Sequence, residues 1–206
     1  MANVYLFGAS GHGKVIKDIL NANGIKVEAF VDDNLRVNEC AGRKVLHDAG
    51  GLSPMIVSIG VNRIRRMIVD RLVAKANAEG LPLEFATAIH PSAIISPSAK
   101  IGEGSVVMAG AVINADAVIG KHCIVNTGAT IDHDCVVGDY VHIAPGAHIS
   151  GGVVIGDGSW IGVGSCVKQK IKIGKSVTIG AGAAVVKDIQ DGVTAVGVPA
   201  KNIIDY

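Results

Sequence analysis

The sequence is poor in aromatic residues, in net charge and in long apolar runs. Aromatic residues make up 3% of the 206 residues and hydrophobic residues 49%, so a core of aliphatic side chains is expected. The formal net charge of +1 does not indicate a nucleic-acid or anionic-membrane partner. No apolar run approaches the roughly 18 residues that span a bilayer, and the N-terminus lacks the charged and apolar blocks of a signal peptide. We therefore expect neither nucleic acid nor membrane as a partner.

Cysteine is also scarce. The four cysteines, Cys40, Cys123, Cys135 and Cys166, show no metal-ligand spacing such as C-x-x-C, so no metal site is predicted. Cys123 and Cys135 fall at inward positions of the repeat described next, and they are predicted to be buried as small hydrophobic residues. This use of cysteine favours a reducing, cytoplasmic location.

The dominant feature of the sequence is a repeat of six residues. Ile or Val occupies every sixth position from Ile89 to Val185, 17 positions in all, without a shift in register. A small or aliphatic residue follows four positions after each of them, and glycine fills many of the remaining positions. A period of six fits neither a helix face nor a long two-sided strand. It fits a solenoid of short strands joined by tight turns.

This repeat resembles that of the hexapeptide-repeat acyltransferases. The resemblance implies a left-handed parallel β-helix in which three hexapeptides form one triangular coil. The repeats from Ile89 to Val185 would then make nearly six coils, each of three repeats. Residues 192–206, beyond the last repeat, are expected to cap the open end of the helix.

The N-terminal segment has a different pattern. Residues 3–7 read as a buried strand, residues 8–13 (Gly-Ala-Ser-Gly-His-Gly) as a turn, and the apolar positions that follow predict a helix. A glycine turn between a strand and a helix can bind a phosphate through backbone N–H groups and the helix N-terminus. The order is G-x-x-G-x-G rather than the dinucleotide fingerprint G-x-G-x-x-G. A turn that only joins a strand to a helix is the alternative.

Two more strands are predicted in this segment. Residues 27–31 lead to Asp32-Asp33, and residues 55–59 lead to residues 60–62 and a helix over 63–78. Parallel strands carry ligand groups at their C-terminal ends, so the glycine turn, Asp32-Asp33 and residues 60–62 should meet in one crevice. Asp32 would accept from a ribose or base edge, whereas Asp33 could simply be solvated. The segment before the repeat is long enough for one mononucleotide half but not for two, which favours a nucleotide or nucleotide-sugar over NAD.

The predicted fold class is therefore an α/β Rossmann-like N-terminal domain plus an all-β left-handed parallel β-helix. The predicted domains are a nucleotide-sugar-binding domain over residues 1–85 and an acyltransferase domain with its C-terminal cap over residues 86–206. The link between them is short.

Within the repeat, the segment Asp132-His133-Asp134-Cys135 is unusually polar. One coil after His133, three repeats further along the chain, comes Gly151, and we predict that this glycine leaves the space over His133 open, as a substrate channel would need. One coil after His142 comes Trp160. These two residues predict a groove for a long thin ligand such as a pantetheine arm.

These residues suit acyl transfer from a thioester to an amine or hydroxyl. The attacking group needs a base, and histidine has a suitable pKa. A carboxylate beside the ring can orient it and raise its basicity. Of Asp132 and Asp134 we favour Asp134, because neighbours on a strand point to opposite faces. Backbone N–H groups at or near Gly151 could stabilise the tetrahedral intermediate. A solvated histidine without a catalytic role is the alternative for His133.

The order of the two domains narrows the resemblance. A Rossmann-like domain that opens with Gly-Ala-Ser-Gly-His-Gly and runs into this β-helix is similar to the nucleotide-sugar N-acetyltransferases of the bacillosamine pathway. It is also similar to the sialic acid O-acetyltransferases. The resemblance implies a homotrimer with active sites between two β-helices. It also implies His133 as base and Asp134 as its pKa modulator, although Glu is the more familiar acid there.

The resemblance also assigns binding residues. The implied coenzyme contacts are His142, Gly151, Val163 and Ala181. The implied substrate contacts are Ser10, Gly11, His12, Asp32, Asp33, Gly60 and Asn126.

The sequence therefore predicts an acetyl-CoA-dependent N-acetyltransferase that acts on a UDP-linked 4-amino sugar in bacterial glycan biosynthesis. Two alternatives stay open at this point. One is an O-acetyltransferase acting on a sugar hydroxyl such as that of sialic acid, and the other is a nucleotide-binding scaffold without turnover.

Overall fold

The computed structural model describes residues 3–203, and it divides the chain into two compact units, Met1–Pro91 and Ser92–Tyr206. This division falls slightly after the predicted domain boundary at residue 85. In the described part of the chain, no helix combines the length and the apolarity that crossing a bilayer requires.

The first unit combines a β-sheet with α-helices. Its elements are β1 (Asn3–Phe7), α1 (Gly11–Ala22), β2 (Lys26–Val31), β3 (Glu39–Cys40), β4 (Arg43–Leu46), β5 (Met55–Val57), α2 (Asn62–Glu79) and β6 (Ala88–Ile89). Five strands form a sheet in the order β3-β4-β2-β1-β5, in which only the β3–β4 pair is antiparallel. The predicted Rossmann-like class is confirmed.

The centre of this sheet is apolar on both faces. Leu6, Val27 and Ile56 in the central strands are 0% exposed, and helix α1 packs Ile16 and Leu20 at 0–1% exposure. Strands buried on both faces read as continuous apolar runs, which is why the sequence reveals β1, β2 and β5. The short hairpin of β3 and β4 was not predicted, because it is an edge hairpin with little apolar pattern.

The glycine turn lets α1 pack closely on the sheet. A Cβ atom at Gly13 would lie 2.9 Å from the ring of Phe30, so only glycine fits there. Gly8, directly after β1, has φ +116, which an L side chain rarely adopts. The strand, turn and helix are therefore fixed by local geometry as well as by the apolar pattern.

The second unit is built mostly from strands of two residues. They are β7 (Ile94–Ile95), β8 (Lys100–Ile101), β9 (Val106–Val107), β10 (Val112–Ile113), β11 (Val118–Ile119), β12 (Ile124–Val125), β13 (Thr130–Ile131), β14 (Val136–Val137), β15 (His142–Ile143), β16 (His148–Ile149), β17 (Val154–Ile155), β18 (Trp160–Ile161), β19 (Cys166–Val167), β20 (Lys172–Ile173), β21 (Thr178–Ile179), β22 (Ala184–Val185), β23 (Thr194–Val196) and β24 (Lys201–Ile203).

These strands form three walls of a prism. Wall A contains β7, β10, β13, β16, β19 and β22, wall B contains β8, β11, β14, β17 and β20, and wall C contains β9, β12, β15, β18 and β21. Strands within a wall are parallel and succeed one another at intervals of three repeats, as in the pairing of Ile113 with Ile131 and of Ile131 with Ile149. The predicted left-handed β-helix with three hexapeptides per coil is confirmed.

The repeat positions fill the interior of the prism. Ile113, Ile131 and Ile149 stack at 0–2% exposure, and the small residues four positions later turn the chain at each corner. Cys123 and Cys135 are 1% and 0% exposed, as predicted. The stacked aliphatic side chains explain why so few aromatic residues are needed.

The last coil is covered by a hairpin. Strand β23 pairs with β21, and β24 pairs with β23 in antiparallel orientation, so wall C does not end on an open parallel edge. The predicted cap over residues 192–206 agrees with this hairpin as far as residue 203. Residues 204–206 lie outside the described part of the chain.

Candidate active site

The three corners of the prism differ in the residues they carry. Corner AB joins wall A to wall B, corner BC joins wall B to wall C, and corner CA joins wall C to the next coil. The first residue of corner BC is always glycine: Gly102, Gly120, Gly138, Gly156 and Gly174. The third residue of corner CA is always a glycine with positive φ: Gly110, Gly128, Gly146, Gly164 and Gly182. Corner AB instead begins with polar residues on five successive coils: Ser96, Asn114, Asp132, Ser150 and Lys168.

His133 and Asp134 form a hydrogen-bonded pair on corner AB. Nδ1 of His133 lies 2.7 Å from Oδ2 of Asp134, and the two side chains are 61% and 66% exposed. Asp134 has φ +60, a left-handed conformation in which Asp is enriched among non-glycine residues. Its backbone N–H donates to the carbonyl of Ala115 one coil earlier at 3.0 Å, which fixes this turn. The ring therefore stands outside the prism with one nitrogen bound and Nε2 directed away from Asp134.

The carboxylates beside His133 raise its pKa. The hydrogen bond that Nδ1 of His133 donates to Asp134 is the largest cause, and the negative charge of Asp132 is the next. Both stabilise the imidazolium form. A ring held this way is a stronger base for an attacking amine than a free histidine, and its bound Nδ1 sets the tautomer.

Asp132 is fixed by two hydrogen bonds. Its Oδ1 accepts from Nδ2 of Asn114 at 2.9 Å and from the backbone N–H of His133 at 2.8 Å. These bonds, that of Asn114 first, lower the pKa of Asp132 and keep it anionic. Sequence reasoning considered this residue only as a partner of the His133 ring, and favoured Asp134 for that role.

Gly151 makes room for the histidine ring itself. A Cβ atom at Gly151 would lie 2.7 Å from both Cε1 and Nε2 of His133. The glycine therefore serves first to accommodate the ring, and only then to leave space for a substrate. Within residues 3–203, the backbone N–H of Gly151 donates to no protein group, so it is available as an oxyanion donor.

His133 lines an open cavity of about 420 Å³. Its lining consists of Asp132, His133, Asp134, Ser150, Gly151, Gly152, Gln169 and Lys170. Its size lies in the usual range of small-molecule sites. Gln169 and Lys170 were missed by sequence reasoning, although they lie one coil after Gly151 and Gly152 and could have been found by extending the coil register once more.

Three of the four predicted coenzyme residues, His142, Val163 and Ala181, form a second group. His142 on wall C is 4% exposed, its ring centroid lies 4.2 Å from that of Trp160 at 50°, and Nε2 lies 3.0 Å from Nδ2 of Asn126. Val163 and Ala181 are exposed and occupy the same place on successive coils of corner CA, with the N–H of Gly182 donating to the carbonyl of Val163.

The predicted site residues of the β-helix therefore lie at two different edges. His133, Asp134 and Gly151 belong to corner AB, whereas Asn126, Val163 and Ala181 belong to corner CA and His142 to the adjoining wall. Within the described residues of this chain, the structure does not bring the two groups together.

In the first unit, parallel strands β1, β2 and β5 end at the same edge of the sheet, as predicted. Asp32 lies between two loops: Oδ2 accepts from the N–H of Ala9 at 2.8 Å and Oδ1 from that of Asn34 at 2.9 Å. Asp32 thus holds the glycine turn in place, and each of its oxygens already has a backbone donor.

Asp33 has a different partner. Its carboxylate accepts two bonds of 2.9 Å from Nη2 of Arg71, and the guanidinium lies 5.3 Å from the ring centroid of Phe7. The pair borders a cavity of about 230 Å³ that is also lined by His47, Asp48 and Lys75. Of the predicted substrate residues, only Asp33 lines this cavity.

The remaining predicted substrate residues surround the start of α1 and the loop after β5. Ser10 is the N-cap residue of α1 and makes no side-chain capping bond. Neither Gly11 nor Gly60 has an atom within 4 Å of a Cβ position, so both face open space. Backbone N–H groups in the first turn of a helix are suited to an anion.

A half-buried histidine and a buried arginine support this edge of the sheet. Burial and, secondarily, the charge of Arg65 lower the pKa of His12 to about 4, so its imidazole is neutral near pH 7. Arg65 is 1% exposed, and Nη1 donates to the carbonyls of Ile59 and Gly60 at 2.8 and 3.0 Å. Sequence reasoning missed Arg65, because its place in the helix pattern looked like that of a solvated charge.

Two family models match the chain. Residues 3–72 match the PglD N-terminal domain, and residues 116–151 match the bacterial transferase hexapeptide (six repeats). Among curated proteins, UDP-N-acetylbacillosamine N-acetyltransferase of Bacillus subtilis (strain 168) is 42% identical over 119 residues, which cover 53% of this chain and 52% of that protein. The chain thus spans about half the length of this curated relative.

Solved structures match over the whole chain. A mutant of perosamine N-acetyltransferase from Caulobacter crescentus, in complex with CoA and GDP-perosamine, is 41% identical, with a TM-score of 0.90 and coverage of 100% of this chain and 98% of that one. The acetyltransferase domain of PglB from Neisseria gonorrhoeae FA1090, in complex with acetyl coenzyme A, is 44% identical, with a TM-score of 0.88 and coverage of 98% of each chain.

Proposed function

Because the chain belongs to the family of hexapeptide-repeat sugar N-acetyltransferases with a PglD-type N-terminal domain, we propose that it transfers the acetyl group of acetyl-CoA to the amino group of a nucleotide-linked sugar. The observation that carries this proposal is the exposed His133–Asp134 pair at 2.7 Å in an open cavity. Of the two solved structures described above, one is in complex with CoA and GDP-perosamine and the other with acetyl coenzyme A.

In the proposed reaction, His133 removes a proton from the sugar amine through Nε2 while Asp134 holds Nδ1. The amine nitrogen then forms a bond to the thioester carbonyl carbon, and the backbone N–H of Gly151 donates to the oxygen that gains negative charge. The C–S bond breaks, and the proton on His133 passes to the departing thiolate. For an acceptor that reacts as the neutral amine, each atom and proton is accounted for by this chain and its two substrates. An acceptor that binds as the ammonium releases one further proton to solvent before the attack. The base contributes about 10²- to 10⁴-fold in rate.

We assign the nucleotide to the first unit. The uncapped start of α1 with Ser10, Gly11 and His12 would bind phosphate, and Asp33 with Gly60 would contact the rest of the nucleotide. The relatives act on both UDP- and GDP-linked sugars by their names. We propose UDP as the nucleotide of the substrate, in agreement with the prediction from the sequence.

We further propose a homotrimer with shared active sites. The predicted base and most of the predicted coenzyme residues lie at different corners of one prism, so a ligand that contacts both groups needs a second copy. Wall B also exposes a column of valines, with Val118, Val136 and Val154 at 39–46% exposure, which suits an interface. The mass in solution by light scattering tests this. A cytoplasmic location, favoured by the use of cysteine, also stays a prediction.

Thiol release measured across UDP- and GDP-linked 4-amino sugars tests the proposed activity. The wild-type protein should release CoA thiol with at least one of them, and His133→Ala should lower kcat/KM by about 10²- to 10⁴-fold. Retention of the wild-type rate by His133→Ala would show that the base is wrongly assigned. Thiol release only with hydroxyl acceptors would identify an O-acetyltransferase instead.

A further inference from the structure

Asp132 is a second carboxylate beside the proposed base, and it makes different contacts from Asp134. Oδ2 of Asp134 is bound to His133, which leaves it committed to the ring. Oδ1 of Asp132 is held by Asn114 and by the N–H of His133, and within residues 3–203 no donor bonds Oδ2 of Asp132. Asp132 is therefore an oriented carboxylate with one acceptor oxygen to spare.

This oxygen belongs to a residue that lines the cavity. Asp132 and His133 border the same space of about 420 Å³, together with Gly151 and Lys170. Asp132 is only half-buried, so a ligand can reach it. Among the five polar residues at this place of corner AB (Ser96, Asn114, Asp132, Ser150 and Lys168), Asp132 alone is a carboxylate.

The acceptor proposed above brings a positive charge to this cavity. An aliphatic amine is largely protonated near pH 7, and a nucleophilic attack requires that it first lose a proton. A carboxylate holds an ammonium through a charge-assisted hydrogen bond, which is stronger than a neutral one. A hydroxyl acceptor carries no charge and gains much less from such a partner.

We propose that Asp132 is a substrate-binding residue whose carboxylate accepts a hydrogen bond from the protonated amine of the acceptor sugar, and that Asn114 is its positioning residue. This inference rests on the proposed N-acetyltransferase function. It divides the work of the two carboxylates: Asp134 orients the ring of His133, and Asp132 selects an amine and holds it beside Nε2. Asn114 acts only through Asp132, since its Nδ2 fixes Oδ1 from one coil earlier.

Asp132→Asn isolates the charge. The amide oxygen of Asn still accepts from Asn114 and from the N–H of His133, so the turn is retained. We expect kcat/KM for the amino-sugar nucleotide to fall about 10- to 100-fold, mainly through KM, because a hydrogen bond to a charged group is lost. Binding of acetyl-CoA should not change. Asp116→Asn is the matched control, because Asp116 lies on the same corner one coil before Asp134 but does not line the cavity.

Equilibrium binding provides a readout that a merely structural role would not move. The wild-type protein should bind the 4-amino nucleotide sugar more tightly than the matching 4-hydroxy compound, and Asp132→Asn should lose this preference while Asp116→Asn keeps it. Asn114→Ala should give a smaller loss, and adding it to Asp132→Asn should give little more.

The outcomes separate this inference from the proposed function. If the wild-type protein releases thiol with an amino sugar while Asp132→Asn keeps both the rate and the amine preference, the role of Asp132 is wrong and the function stands. If the wild-type protein releases thiol with no amine acceptor, the proposed function is wrong, and the inference falls with it.

Discussion

Corners AB and BC of the prism follow the same repeat but allow different side chains. At corner BC a Cβ on Gly156 would lie 2.6 Å from both the carbonyl carbon of Gly174 and the N of Lys175, so the next coil leaves no room for a side chain. At corner AB the same place carries Asn114, Asp132 and Ser150. One corner is closed by backbone packing, and the other projects polar side chains outward. The first position of corner BC therefore cannot carry a functional side chain, whereas the first position of corner AB can.

A side chain at Gly151, next to the His133 ring, should close corner AB as backbone packing closes corner BC. In Gly151→Ala the new Cβ would collide with His133, 2.7 Å away, and push the ring from its place. A displacement of about 1 Å can cost about 100-fold in rate, and we expect a fall of that size in kcat/KM for thiol release. The double variant with His133→Ala should lose little more than His133→Ala alone. Wild-type activity in Gly151→Ala would contradict the geometry.

The closed corner should respond in stability rather than activity. Gly156→Asn places a side chain against the backbone of the next coil, and overpacking of this kind costs about 1–3 kcal/mol. Gly158→Asn is the matched control, since Gly158 has φ +69, which Asn tolerates, and its nearest neighbour would be 3.7 Å from a Cβ. Thermal or urea unfolding should rank Gly156→Asn well below Gly158→Asn. Equal losses would mean that backbone conformation, rather than the next coil, selects glycine at corner BC.

The pH dependence of kcat/KM should reveal the effect of the carboxylates beside His133 at corner AB. The hydrogen bond that His133 donates to Asp134, followed by the charge of Asp132, raises the pKa of His133. The ring therefore stays protonated to a higher pH, and the acid limb of kcat/KM lies above the ordinary histidine value. Asp134→Asn keeps a residue that tolerates φ +60 and removes the charge. The acid limb should therefore move to lower pH, while the maximal rate falls.

The other charged groups around the ring bear on this test. They are Asp132 on the same turn and Lys170, which lines the same cavity. Because Asp132 remains in Asp134→Asn, the acid limb should move less than in a variant that lacks both carboxylates. An unchanged limb in Asp134→Asn would show that His133 is not the group that titrates.

The repeat made most of the prism predictable. A fixed spacing of three repeats aligns residues on one wall, so the neighbours of Ile131 and the approach of Gly151 to His133 followed from counting. The bond from His133 to Asp134 was predicted by choosing one of two neighbours. The bonds that hold Asp132 were not predicted, because they depend on the rotamers of Asn114 and Asp132, and counting gives no rotamers.

The first unit was less predictable for a physical reason. Its contacts are made by loops of irregular length, so no register relates Asp33 to Arg71 or Arg65 to the carbonyl of Gly60. Asp32 was expected to face a ligand, and instead its two oxygens hold Ala9 and Asn34. Buried Arg65 was missed, since a helix pattern with several charges does not reveal which one faces inward.

The smallest effect on stability and activity is expected from an exposed ion pair on corner BC. Lys121 and Glu103 lie 2.7 Å apart on successive coils of this corner, and their side chains are 58% and 50% exposed. An exposed ion pair gains little, because water and salt screen it and two long side chains lose freedom. Glu103→Gln should change the melting temperature by less than about 2 °C and leave thiol release unchanged. Glu103→Gln and Asp132→Asn each remove one carboxylate from a corner of the prism. Only Asp132 lies beside a cavity and the proposed base, so only Asp132→Asn should alter KM. A large effect of Glu103→Gln on KM would mean that corner BC also takes part in the site.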